Sequence, residues 1–131
     1  ACAALARQAW GDAPTIIVVE PTVAAALHGS VKAGKPIESQ GPVSEMGRLD
    51  CKMPSLIALK GLARDADAFA LISEAEGQAG AGAAMVAGLG SSTSGAAGIA
   101  ALLALSDGQK ETLDISARSV VLTVLSEGPA A

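Results

Sequence analysis

Four hydroxyl-bearing residues in a row, Ser91-Ser92-Thr93-Ser94, stand directly before Gly95 and Ala96. Ser and Thr cap helices well, because a side-chain oxygen takes one of the orphan N–H groups of the first turn. A cap uses one hydroxyl, and this turn has four. Hydroxyls with free N–H groups at a buried helix start form a polar pocket suited to an anion or a heteroaromatic nitrogen. Spacing alone leaves cap and site as equal readings. The other chemistry-bearing residues are sparse. His28 is the single histidine, and with Cys2 and Cys51 it makes no zinc spacing. The chain has no Gly-x-Ser-x-Gly elbow and no evident Ser-His-Asp order. His28 is expected to be a partly exposed helix residue, and Cys51 a buried small hydrophobe rather than a reactive thiol. Gly80-Ala81-Gly82 invites a dinucleotide fingerprint, but Met85 stands where the third glycine belongs. A close-packed Ala/Gly helix is the expectation there.

The elements that must position these residues alternate. Ala1 to Ala9 is rich in helix formers and is broken by Gly11-Asp12-Ala13-Pro14. Thr15 to Glu20 is a β-branched apolar run, the pattern of a parallel strand buried on both faces. Val23 to Lys32 reads as a helix closed by Gly34 and Pro36. From Ile37 to Cys51 there is no period, and so long a loop in a compact fold is often functional. Ser55 to Arg64 is a second helix, opened by Pro54. Ala68 to Ile72 is a second strand. Ser73 with Glu76 forms a capping-box signature for a helix towards Leu89, weakened by its glycines. Ala96 to Leu105 is apolar all round and therefore a buried helix. Asp107 to Ser116 reads as a polar connection, and Ser119 to Leu125 as a third strand. The expected fold is α/β, a mainly parallel sheet with helices on both faces. Its active centre should lie beyond the carboxyl ends of the strands, at Glu20, Ser73 and Ser126.

The 131 residues suit one domain, 1–131. Half of them are hydrophobic, 2% are aromatic and 17% are charged. With a mean hydropathy of +0.45, charge cover is thin, so much of the surface should meet another domain or chain. A net charge of −4 provides no basic field for nucleic acid. The apolar stretch Ile99 to Leu105 is far short of the ~20 residues that span a bilayer. The start, ACAALARQAW, lacks the basic and apolar regions of a signal peptide. Two cysteines cannot build a disulfide framework, so a reducing cytoplasm is expected.

Ser92-Thr93-Ser94-Gly95-Ala96-Ala97-Gly98 resembles the Ser-Gly-Ala segment of pyridoxal-phosphate enzymes of the tryptophan-synthase β type. Ile16-Ile17-Val18-Val19-Glu20-Pro21 is similar to the strand of that family ending in Val-Glu-Pro. Gly47-Arg48-Leu49-Asp50-Cys51 with Pro54-Ser55 resembles the Gly-Leu-x-Cys…Pro-Ser stretch of its diaminopropionate ammonia-lyase branch. Ser126-Glu127-Gly128 is similar to the Ser/Thr-Glu-Gly ending the last strand there. The resemblance covers nearly the whole chain in the family's order.

It implies pyridoxal 5′-phosphate as cofactor, a small amino acid as substrate, and β-elimination with loss of ammonia. It places Ser94 against the pyridine nitrogen, with Thr93 and Gly95 beside it. A neutral hydroxyl there does not force ring protonation, which favours elimination over transamination. Glu20, Asp50 and Glu127 become candidates to line the pocket or meet a substrate amine, with Glu20 and Asp50 as the catalytic candidates. The family also carries an N-terminal half with the Schiff-base lysine and a glycine-rich phosphate loop. Ser30-Val31-Lys32 imitates the lysine motif, but on a helix where the family has none. The resemblance therefore implies the C-terminal portion of a larger enzyme, inactive alone, completed by the missing half or by a second copy in a homo-oligomer. A relative of threonine/serine dehydratase or cysteine synthase is the alternative within the family. A non-catalytic α/β binding or scaffold module is the alternative outside it.

Overall fold

The computed structural model describes residues 1–129. Helix α1 (Cys2–Trp10) leads into strand β1 (Ile17–Pro21), then a 3-10 turn (Thr22–Ala24) and helix α2 (Ala26–Ala33). Helix α3 (Leu56–Asp65) precedes strand β2 (Ala68–Ile72), and α4 (Glu74–Val86), α5 (Ala97–Ala104) and α6 (Asp107–Thr112) complete the order. The strands pair in parallel, with Val19 opposite Ala70 and Pro21 opposite Ile72. Such a pair needs a crossover, and here it runs through α2, the long loop and α3. Val19, Ala70 and Ile72 share one face and pack with Met46, Ala97, Ala100 and Ala101. Glu20, of opposite parity, is bound instead to the start of α2. Helices therefore flank the short sheet on both sides.

Local signals explain most boundaries. Ser55 accepts from Ala58 N–H to cap α3, and Ser73 with Glu76 closes a reciprocal capping box on α4. Helix α4 stops at Val86, earlier than the sequence suggests, and Gly88 follows at φ 74°. The α4 glycines are a packing device. A Cβ on Gly80 would sit 2.5 Å from the Ala100 Cβ, so α4 and α5 approach as only small residues allow. The close-packed helix expected around Gly80-Ala81-Gly82 is what forms.

The structure corrects three expectations. Residues 119–125 form no strand; Val120 is 98% and Leu122 74% exposed. A β-branched run supplies propensity, but a strand also needs a neighbour for its N–H and C=O groups. Among the described residues the sheet has only β1 and β2. The connection after α5 contains a helix, α6, because Ser106 and Gln109 make a second capping box. Cys51 is exposed rather than buried, since it lies in a loop whose inward positions are taken by Met46 and Leu49. His28 is half-buried, as expected.

The amino ends of both strands are tied by one cation. Arg7 on α1 donates from Nη1 to the Pro14 carbonyl at 2.8 Å and from Nε to the Asp65 carbonyl at 3.0 Å. Its Nη2 meets Asp67 Oδ2 at 2.6 Å, and the same carboxylate accepts the Ile16 N–H. That N–H, with Arg7, holds the Asp67 carboxyl below its ordinary range. Arg64 does the same for Asp65, and the Ser73 N–H for Glu76. Carboxyls depressed in the folded state stabilise it above their unfolded pKa, near 4, and lose that contribution as pH falls through the folded values. Stability should therefore be flat from neutral pH down to about 5 and fall steeply below about 4. Urea midpoints measured across that range check it; a midpoint unchanged to pH 3 would contradict it.

Candidate functional site

With the amino ends closed by Arg7, the carboxyl ends of the strands are left for function. The loop between α2 and α3 is fastened over them. Lys52 donates from Nζ to the Val23 carbonyl, just past β1, at 2.8 Å and to Pro42 O at 2.7 Å. Past β2, the first α4 residue Glu74 accepts Ser44 Oγ–H at 2.6 Å and the Glu45 N–H at 3.2 Å. Met46, fully buried, plugs the core beneath and touches the space above Gly77. The segment that shows no period in sequence is an ordered strap with specific ties to both strand ends.

The hydroxyl turn is tied to this strap and to the residues after position 125. Ser91 Oγ donates to the Glu127 carbonyl at 2.8 Å, and Ser92 Oγ donates to Glu127 Oε2 at 2.7 Å. Ser92 Oγ also accepts the Gly95 N–H at 3.0 Å, which closes the turn, while α5 itself starts after Ala96 without a side-chain cap. Gly95 is required: a Cβ there would run into Ser91 Oγ and press on the Glu127 N–H. Ser94 is half-buried, and its Oγ accepts the Arg48 N–H at 3.2 Å. Its own proton has no acceptor among the described residues. A hydroxyl whose oxygen is occupied and whose hydrogen is free is a donor of the kind a pyridine nitrogen takes. Thr93 stands beside it, also half-buried.

The three carboxylates part company. Glu20, 8% exposed, accepts the Leu27 N–H at 2.8 Å and the His28 N–H at 2.7 Å. Both oxygens are spent on the start of α2, where a negative charge meets the helix dipole. Asp50 is paired with Lys52 at 2.5 Å, and that contact holds its carboxyl below the ordinary range. Glu127 is the carboxylate that touches the hydroxyl turn. Arg48, 82% exposed, faces it with Nε 3.6 Å from Oε1. Sequence reading singled out neither Arg48 nor Lys52, although both lie in the strap segment that carries part of the resemblance. No group of three metal-ligating side chains occurs among the described residues, and no helix is long and apolar enough to cross a membrane.

Two open clefts lie away from this cluster. One of about 230 Å³ is formed by Phe69, Ala70 and the α6 residues Gln109 and Thr112. The other, about 300 Å³, lies between α2 and α3. Neither cleft is lined by the hydroxyl turn.

Residues 1–127 match the family described as pyridoxal-phosphate dependent enzyme. The chain belongs to that family. The fold is also found in solved structures. A threonine deaminase from T.th. superposes with a TM-score of 0.69 at 20% identity, over 76% of this chain and 37% of its own. Maize serine racemase gives 0.72 at 23% identity, over 82% of this chain and 32% of its own. At these identities the likeness shows the fold. The chain spans about a third of the length of the structures it matches. Comparison with curated proteins finds no match. Pyridoxal phosphate is the cofactor of the family, and a hydroxyl with an unused proton, such as that of Ser94, has the chemistry to donate to a pyridine nitrogen.

Proposed function

We propose that this chain supplies the ring-nitrogen wall of a pyridoxal-phosphate-dependent enzyme that deaminates serine or threonine to a 2-keto acid and ammonia, the water lost on β-elimination being regained when the resulting imine hydrolyses. The observation that carries the reading is the half-buried Ser94 hydroxyl, fixed by the Arg48 N–H and free to donate. It stands at the carboxyl-end side of a parallel sheet, where such folds place their ligands. The two similar structures are a threonine deaminase and a serine racemase, and those names support a hydroxy-amino-acid substrate over the diaminopropionate suggested by the strap sequence.

When bound, the cofactor supplies the electron sink for breaking bonds at the substrate α-carbon. The residues of this chain supply orientation. Ser94 would hold the ring nitrogen with a neutral hydroxyl, Thr93 and Gly95 shape the turn beside it, and Glu127 keeps that turn against the strap. Glu20 and Asp50 serve the wall as structural carboxylates, one capping α2 and the other fixing Lys52. The competing donor is Ser126, exposed one residue before Glu127. The exposed apolar residues Val120, Leu122 and Val124 face the remainder of the enzyme or a second copy.

The test is a substrate panel on the intact enzyme with added cofactor. L-Serine or L-threonine should yield a 2-keto acid and ammonia in equal amounts, faster than 2,3-diaminopropionate. Preferred release from diaminopropionate would return the reading to that branch. No cofactor-dependent ammonia from any of the three would overturn it.

A further inference from the structure

Glu127 closes a ring of contacts around Ser94. On one side its Oε2 takes the Ser92 hydroxyl at 2.7 Å, and Ser92 in turn holds the Gly95 N–H at 3.0 Å, fixing the turn on either side of Ser94. On the other side its Oε1 faces the Arg48 guanidinium at 3.6 Å, while the Arg48 N–H is bonded to Ser94 Oγ at 3.2 Å. Its main chain is locked as well, because its carbonyl accepts from Ser91 and its N–H lies against Gly95. The strap is itself immobilised through Met46 in the core and Ser44 on Glu74. Among the described residues, the Glu127 carboxylate, with one oxygen on the turn and the other towards the strap, touches both supports of the Ser94 hydroxyl. The Ser92–Glu127 bond is charge-assisted and so stronger and more directional than a neutral one, whereas the exposed Arg48 contact at 3.6 Å is a weaker ion pair. A hydroxyl rotor that must meet a ring nitrogen depends on such supports, since small misplacements cost large factors in rate.

We infer that Glu127 is a positioning residue which, through Ser92 and Arg48, sets the direction of the Ser94 hydroxyl towards the cofactor ring. The inference rests on the proposed function and goes beyond it, because the Glu127 carboxylate is directed at Ser92 and Arg48 and acts through them. Two other features carry less. The cleft between α2 and α3 is open, with nothing showing what would fill it, and the exposed thiol of Cys51 has no reactive neighbour in view.

The experiment uses the intact enzyme freed of cofactor. Pyridoxal phosphate is titrated into the wild type and the Glu127→Ala, Glu127→Gln and Arg48→Ala variants, followed by fluorescence, with apoenzyme unfolding midpoints recorded alongside. Glu127→Ala should weaken cofactor binding about tenfold, equivalent to about 1.4 kcal/mol, and lower kcat with little change in KM. Glu127→Gln, whose amide oxygen still accepts the Ser92 hydroxyl, should recover most of the loss. Arg48→Ala, at an exposed side chain, should fold normally and weaken binding by a smaller factor. Should Glu127→Ala fail to fold, the Gln and Arg48 variants decide the matter. Binding within about twofold of wild type in all variants that fold would overturn the inference while leaving the proposed function standing. Losses that follow the unfolding midpoints alone, without rescue by Gln, would also overturn it. A wild-type apoenzyme that binds no cofactor would remove both.

Discussion

Replacing Ser94 by alanine in the intact enzyme is expected to lower kcat by roughly tenfold to a hundredfold, the scale of one lost hydrogen bond to a polar partner. The effect should fall on turnover and cofactor affinity together, with KM for the amino acid nearly unchanged. The hydroxyl oxygen already accepts the Arg48 N–H, so alanine also leaves that strap amide without its partner. Ser94→Thr retains the hydroxyl and should keep most of the activity. The Ser126→Ala variant separates the two candidate donors. Full activity in Ser94→Ala with a large loss in Ser126→Ala would move the ring nitrogen to the last hydroxyl. Steady-state kinetics with a cofactor titration reads all three.

The largest stability effect is expected at Gly80, and its sign opposes helix propensity. Alanine in a helix interior is favoured over glycine by about 1 kcal/mol. At Gly82 nothing lies within 4 Å of an added Cβ, so Gly82→Ala should stabilise by about 0.5–1 kcal/mol. At Gly80 the Cβ would sit 2.5 Å from Ala100 Cβ and 2.7 Å from Ala100 backbone atoms. Backbone cannot swing aside as a long side chain can. Moving α5 would disturb Ala97, Ala100 and Ala101, which pack with Met46 and Ile72. Gly80→Ala should therefore destabilise by about 3 kcal/mol, at the upper end of the overpacking range. Urea denaturation of the two variants in parallel gives the answer. Equal, stabilising shifts would show that α4 and α5 do not approach as described.

What is legible in the sequence is local. The second strand, Ala68 to Ile72, is found at those bounds, and the capping boxes of α4 and α6 are written in Ser73 to Glu76 and Ser106 to Gln109. The second box is easily read as a connection because its residues are polar. Residues 119–125 carry as strong a strand composition as β1, yet pairing requires a neighbour that composition cannot supply. The hydroxyl turn stands out in the sequence as a candidate because four hydroxyls exceed what a cap needs. Its partners are not, since Arg48 meets Ser94 across 46 positions and Ser92 meets Glu127 across 35. Glu20 and Asp50 read as free carboxylates for the same reason. Their actual partners, the first α2 amides and Lys52, become apparent only when the chain is folded.

The central claim is that the Ser91–Gly95 turn, held by Glu127 and the strap, is the wall that meets the cofactor ring. A crystal structure of the intact enzyme with pyridoxal phosphate bound measures it directly. The ring nitrogen should lie within hydrogen-bonding distance, about 2.7–3.2 Å, of the Ser94 hydroxyl. A ring nitrogen bound by a group outside this chain, with the Ser91–Gly95 turn remote from the cofactor, would contradict the account.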